Sequence, residues 1–202
     1  MTRAAASRPA RERLLAAAGE LFYESGIAAT SVDAVLARAG VSPATMYAHF
    51  AGKDALVAAY LEQRHEVWRR TWDAVLAERE DPVERLLSLF DAVGRYRSHE
   101  GNRRGCAFLA AATELPADHP GHRWLEADTH LLVERLRTLA SAAGVPDPDD
   151  AAATLLLLYD GALDRFARAA TTPGLPDDDP LVRARALAAT WVDAQLAGRR
   201  RT

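Results

Sequence analysis

The tightest constraint on the fold lies between residues 30 and 50, where two helical periodicities are separated by only Gly40, Val41 and Ser42. The first repeats apolar side chains at Val32, Val35, Leu36 and Ala39. Gly40 can leave the right-handed helix, and Ser42 followed by Pro43 is a pair that starts another. Thr30 or Ser31 can cap the first helix, with Thr30 and Asp33 spaced as in a capping box. So short a turn makes two helices cross steeply. Phased at about 100° per residue, the second helix groups Met46 and Phe50 above Val41. Ala44 and Ala48 then lie opposite, flanked by Thr45 and Tyr47, with His49 at the edge. That outer face has no carboxylate, and its two alanines admit a close partner.

Breakers divide the whole chain into about nine such stretches. Leu14, Leu15, Ala18, Leu21 and Phe22 repeat over residues 11 to 25 and stop at Gly26, a left-handed cap over which Ile27 folds back. A long amphipathic pattern starts at Asp54, and Asp81-Pro82 opens the next. A basic loop from His99 to Gly105 precedes a short helix from Cys106 to Thr113. Three longer helices complete the chain, the last two near 149 to 170 and 181 to 196. The chain has 43 Ala and 26 Leu against 12 Val and one Ile, so the β-branched residues that suit a sheet are scarce. The expected fold is all-α, with about nine helices in two domains. A three-helix domain over 1–53 precedes longer helices over 54–202.

Net charge is only −3, so any attraction to nucleic acid must be local; residues 1 to 53 hold six Arg or Lys against four Asp or Glu. The lone lysine, Lys53, closes that stretch. The longest apolar runs, such as Leu155 to Tyr159, fall far short of the roughly 20 residues that span a bilayer. No apolar segment follows the N-terminal arginines as in a signal peptide. A cytoplasmic protein with no membrane partner is expected. Dinucleotide and P-loop fingerprints, GxSxG and HExxH are absent, so neither an enzyme nor a cofactor is expected. His119 and His122, near Asp118, read as a polar turn in preference to a metal site, which needs more ligands on fixed elements. Cys106 reads as a small residue at a helix start; a thiol facing that N-terminus would instead have a lowered pKa and redox reactivity.

The two short helices describe a helix-turn-helix, which can place one helix in a major groove, although the same geometry also occurs in cores that never touch DNA. Thr30 to Leu56, reading TSVDAVLARAGVSPATMYAHFAGKDAL, resembles the DNA-binding domain of the TetR family of bacterial transcriptional regulators. The match extends over residues 11 to 61, and Gly105-Cys106-Ala107-Phe108 resembles one branch of that family. The resemblance implies double-stranded DNA as partner. Thr30 and Ser31 would hold a phosphate at a helix N-terminus. Ser42 would cap the recognition helix; Pro43, Ala44 and Thr45 would face bases; Tyr47, His49 and Lys53 would reach phosphates. Arg3 and Arg8 would be a frayed tail or minor-groove contacts.

The resemblance also implies an effector cavity in the later helices. Trp72, Phe90, Phe108, Trp124 and Tyr159 lie on separate helices and are the expected lining, with the Tyr159 hydroxyl as polar anchor; Phe at Ala111 or Ala112 would be expected to fill the cavity. The ligand would be small and mostly apolar. Residues 149–170 and 181–196 carry more apolar surface than one monomer needs and are expected to form a homodimer, with Leu187 and Trp191 inside it. The expected function is a repressor released by its effector from an inverted-repeat operator. The alternative is a helical small-molecule-binding or catalytic protein that has lost DNA binding.

Overall fold

Side-chain caps and prolines fix where the helices begin. Ser31 and Ser42 hydroxyls accept the backbone N–H of Ala34 and Thr45, at 3.1 and 3.2 Å. Asp81 Oδ1 accepts from Val83 and Glu84, and Asp147 Oδ1 from Asp149 and Asp150, while Pro43, Pro82, Pro148 and Pro180 each open a helix. A computed structural model describes residues 9–100, 106–169, 172, 174 and 178–199. Among them are nine helices and no strand: α1 (Ala10–Ser25), α2 (Val32–Ala39), α3 (Pro43–His49), α4 (Lys53–Ala77), α5 (Pro82–Glu100), α6 (Ala107–Glu114), α7 (His122–Ala142), α8 (Pro148–Ala169) and α9 (Pro180–Arg199). The all-α expectation holds. Arg3, Arg8, Gly105 and most of the basic loop before it lie outside the described residues.

The chain divides into two compact units, and the division differs from the functional boundary expected after residue 53. The first comprises Met1–His65 with Ala107–Ala127; the second comprises Glu66–Cys106 with Asp128–Thr202. The first unit's core joins Leu14, Ala18 and Phe22 of α1, Val35 of α2, Met46 of α3, and Leu56 and Leu61 of α4. Ala111 of α6 is wholly buried in that core. Each large side chain removed from water there contributes about 1.5–3 kcal/mol. Helices of eight and seven residues are too short to persist alone, so this shared core is what holds α2 and α3.

The second unit buries Trp72, Leu86, Leu89, Phe90, Leu136, Leu155, Ala188 and Val192 among longer helices. Trp72 stacks on Trp68 at 5.4 Å between ring centroids and donates its indole N–H to Ser88 Oγ at 3.0 Å, which satisfies two buried polar groups together. Ion pairs lace its exterior: Arg95 to Glu78, Arg135 to Asp73, Arg79 to Asp91, and Arg185 to Glu84 and Asp91.

Candidate nucleic-acid interface

The turn between α2 and α3 is built as its residues require. Gly40 adopts φ 63° and ψ 44°, a left-handed conformation that costs glycine least, and its N–H bonds Leu36 O. Arg13, reaching from α1, sets Nη1 3.2 Å from both the Ala39 and the Gly40 carbonyl, supplying a cation where the α2 dipole ends negative. No local sequence signal marks this cap, because Arg13 lies 26 residues from Ala39. Met46 is wholly buried beneath α3 and Phe50 nearly so, as the phasing predicts.

The opposite face of α3 is open. Ser42, Pro43, Ala44, Ala48 and His49 are exposed, Thr45 is half-buried, and Tyr47 is 59% exposed. Thr45 Oγ1 lies 2.9 Å from Ser42 Oγ, so the one polar side chain among the three expected to face bases is braced by the cap beside it. The exposed side chains of α3 include no acid. Lys53, at the first residue of α4, donates from Nζ to Ala28 O at 3.3 Å.

Thr30 is placed otherwise than its expected phosphate contact. It is buried, with Oγ1 2.7 Å from Gly26 O and 3.3 Å from Leu21 O, so its hydroxyl closes the α1–α2 loop internally. Ser31 takes the cap of α2, and the Thr30–Asp33 box is not formed. The methyl of Thr30 is small enough to enter the core, and that burial leaves the next residue to face outward. Gly26 has φ +90° but ψ 158°, so it departs from the left-handed cap expected there; Ile27 is buried after it.

The aromatics expected around an effector separate between the two cores. Trp72 and Phe90 are 0% and 2% exposed and belong to the second unit's core. Phe108 and Trp124 pack against the first unit's core. Ala111 is buried there and Ala112 is exposed, whereas Tyr159 belongs to the second unit. Tyr159 keeps a small exposed fraction, and burial pushes its phenol well above its ordinary value, with Cys106, Asp128 and Asp160 adding to the effect. Burial, with Asp128 nearby, also raises the Asp160 carboxyl. Periodicity could not foresee this division, because the chain returns to the first unit at residue 107.

The HPGH segment is a polar turn. His119 is buried, its Nδ1 accepts the Gly121 N–H at 2.9 Å, and His122 Nε2 lies 2.8 Å from Pro116 O. A Cβ on Gly121 would come within 3.0 Å of Leu61 and Leu115 and 2.9 Å of His119, so a larger residue there would have to displace those side chains. Cys106 is half-buried against the second core. No helix is long and apolar enough to cross a membrane, among the described residues.

Comparison with known proteins converges on one family. The family model for bacterial regulatory proteins of the tetR family matches residues 14–60. The HTH-type transcriptional regulator UidR of Escherichia coli is 36% identical over 78 residues, which are 39% of this chain and 36% of that protein, so the match spans about a third of the curated relative. A candidate TetR-type transcriptional regulator (sav143) from Streptomyces avermitilis is 32% identical, with TM-score 0.71 over 93% of this chain and 98% of that one. SCO4454, a TetR-family transcriptional regulator from Streptomyces coelicolor, has TM-score 0.76 at 29% identity, covering 94% of this chain and 95% of its own.

Proposed function

Because the chain belongs to the TetR family of bacterial transcriptional regulators, we propose that it is a homodimeric repressor, released from an inverted-repeat operator by a small, mostly apolar effector. The observation that carries this reading is the open face of α3, free of carboxylates and narrow at Ala44 and Ala48. Pro43, Ala44 and Thr45 would face base edges, with methyl contacts and DNA shape supplying what Ala44 cannot donate. Ser31, Ser42, Tyr47, His49 and Lys53 would position the helix against phosphates, and Thr30 would support them from within the loop. Residues 1–53 would serve DNA, and 54–202 the effector and the dimer, with Tyr159 as the effector's polar anchor.

The dimer reading rests on apolar side chains left in water. Leu157 of α8 is 73% exposed, and Val182 and Leu187 of α9 are 67% and 53% exposed. A second copy using α8 and α9 would cover them, and two-fold symmetry would then match two half-sites. Trp191 is half-buried against its own core, so Leu187 is the better interface probe.

Fluorescence anisotropy on a labelled duplex of the gene's own upstream intergenic DNA tests the reading. Wild type is expected to saturate the duplex at two chains per site, well before an unrelated duplex. Lys53→Ala is expected to lower the magnitude of the salt slope by about 0.9, the signature of one phosphate contact. Equal affinity for both duplexes sinks the DNA reading and leaves the small-molecule-binding alternative.

A further inference from the structure

We propose that Glu114 is a positioning residue for DNA binding: it holds the α1–α2 loop in the shape that presents Ser31 and Lys53, without touching DNA itself. The proposal rests on the DNA-binding reading of α3 and adds to it a residue far outside the helix-turn-helix sequence. Glu114 ends α6, and its Oε2 accepts the Ala28 N–H at 2.7 Å across 86 residues of chain. Gly26 makes the approach possible, since a Cβ there would lie 3.1 and 3.2 Å from the two carboxylate oxygens and the residue already has a positive φ.

The loop between α1 and α2 is thereby fixed at nearly every residue. The Gly26 carbonyl accepts from Thr30, the Ile27 side chain is buried, the Ala28 N–H is held by Glu114, and the Ala28 carbonyl accepts from Lys53. One residue, through its N–H on one side and its carbonyl on the other, thus links a carboxylate from α6 to the ammonium at the start of α4. The next helix begins at Ser31, so the direction of its N-terminus follows from this loop.

The grip is itself anchored. Ala111, one turn back on α6, is wholly buried in the first unit's core, and Leu115 packs against that core. Beyond α6, the His119 ring accepts at Nδ1 from Gly121, so a neutral ring carries its proton on Nε2, 3.5 Å from Asp54 Oδ1. Asp54 neighbours Lys53. The segment 107–127 therefore ties down both places from which phosphate contacts are proposed, the α1–α2 loop and the start of α4.

Electrostatics alone gives the opposite sign. A carboxylate beside a phosphate-facing loop repels DNA, so removing its charge should strengthen binding. Positioning requires that Glu114→Ala weaken specific binding by about five- to tenfold, the scale of one net hydrogen bond, despite the lost charge. Glu114→Gln keeps an acceptor oxygen for Ala28 and should bind at least as tightly as wild type. The same substitutions should be followed by amide hydrogen exchange at Ala28 in the free protein, where Glu114→Ala is expected to exchange faster and Glu114→Gln to stay slow. Both variants are compared at equal folded fraction, set from thermal melts. Unchanged exchange at Ala28 overturns the grip. Faster exchange with unchanged or tighter specific binding overturns the positioning role while the DNA reading stands. A wild type that does not prefer its upstream duplex removes the DNA reading, and this proposal with it.

Discussion

The two units solve the problem of stability with different materials. In the first, helices of eight and seven residues are held by a shared apolar core and aimed by backbone-directed contacts: Ser31 and Ser42 as caps, Arg13 on the end of α2, Glu114 on Ala28. In the second, helices of 19 to 22 residues lie over a large apolar core, and paired arginines and carboxylates coat the outside. Contacts to backbone fix direction, because a carbonyl or N–H has one place and one orientation. Apolar packing fixes proximity and tolerates many arrangements. The first unit is thus suited to presenting a rigid outward face, and the second to enclosing or pairing.

The sharpest way to break this contrast is to charge the second unit's apolar exterior. Leu187→Glu is expected to yield monomers of undiminished helicity whose affinity for the operator duplex falls by about a hundredfold or more, because linked half-site contacts are lost. Sedimentation would check the state and anisotropy the affinity; a variant that stays dimeric removes Leu187 from the interface. Next in size is Met46→Ala, which empties a wholly buried site under α3 and should cost about 2–5 kcal/mol of first-unit stability. Denaturation read by hydrogen exchange in each unit would show whether the loss stays in the first, as two separate cores require.

A smaller effect sharpens the functional side of the comparison. Thr45→Ala should relax base preference by about 1–3 kcal/mol at one position of each half-site. Selection from a randomised duplex library that returns the wild-type motif would exclude Thr45 from readout. The smallest effect is acid sensitivity. In the second unit, hydrogen bonding from Arg69, joined by Arg70, holds the Glu66 carboxyl at about 2, below its ordinary 4.5. Arg95 lowers Glu78, and Arg183 lowers Asp178. A carboxyl lowered by folding stabilises above its unfolded value, and that contribution drains as pH falls from near 4.5 toward about 2. Salt screens such exposed pairs, so the loss should be slight. Single-tryptophan variants should therefore report acid loosening at Trp68 or Trp72 before Trp124; the reverse order would contradict the assignment of ion pairs to the second unit.

What could be read from the sequence follows the same physical divide. Ser31, Gly40, Ser42, Pro43 and Met46 act within a turn or two of themselves, so their spacing specifies α2, the turn and the buried side of α3. The nine helices were legible for the same reason, since breakers and caps are local. Thr30 was misassigned because hydroxyl chemistry suits a cap and a buried loop closure equally, and burial decides between them. The aromatics expected to line one cavity divide between two cores, because helical periodicity tells which face is buried but not against which core. Arg13 and Glu114 carry no local mark, as each meets a partner 26 or 86 residues away.

The interrupted course of the first unit bears on how such regulators can be recombined. Segment 107–127 completes that unit's core although it follows 41 residues, Glu66–Cys106, that belong elsewhere. A head excised at residue 53 or 65 would leave behind Ala111, Leu115 and the Glu114 carboxylate. Chimeras that exchange DNA-reading heads among relatives should therefore be spliced at two seams, with the donor's counterpart of 107–127 transplanted together with its helix-turn-helix.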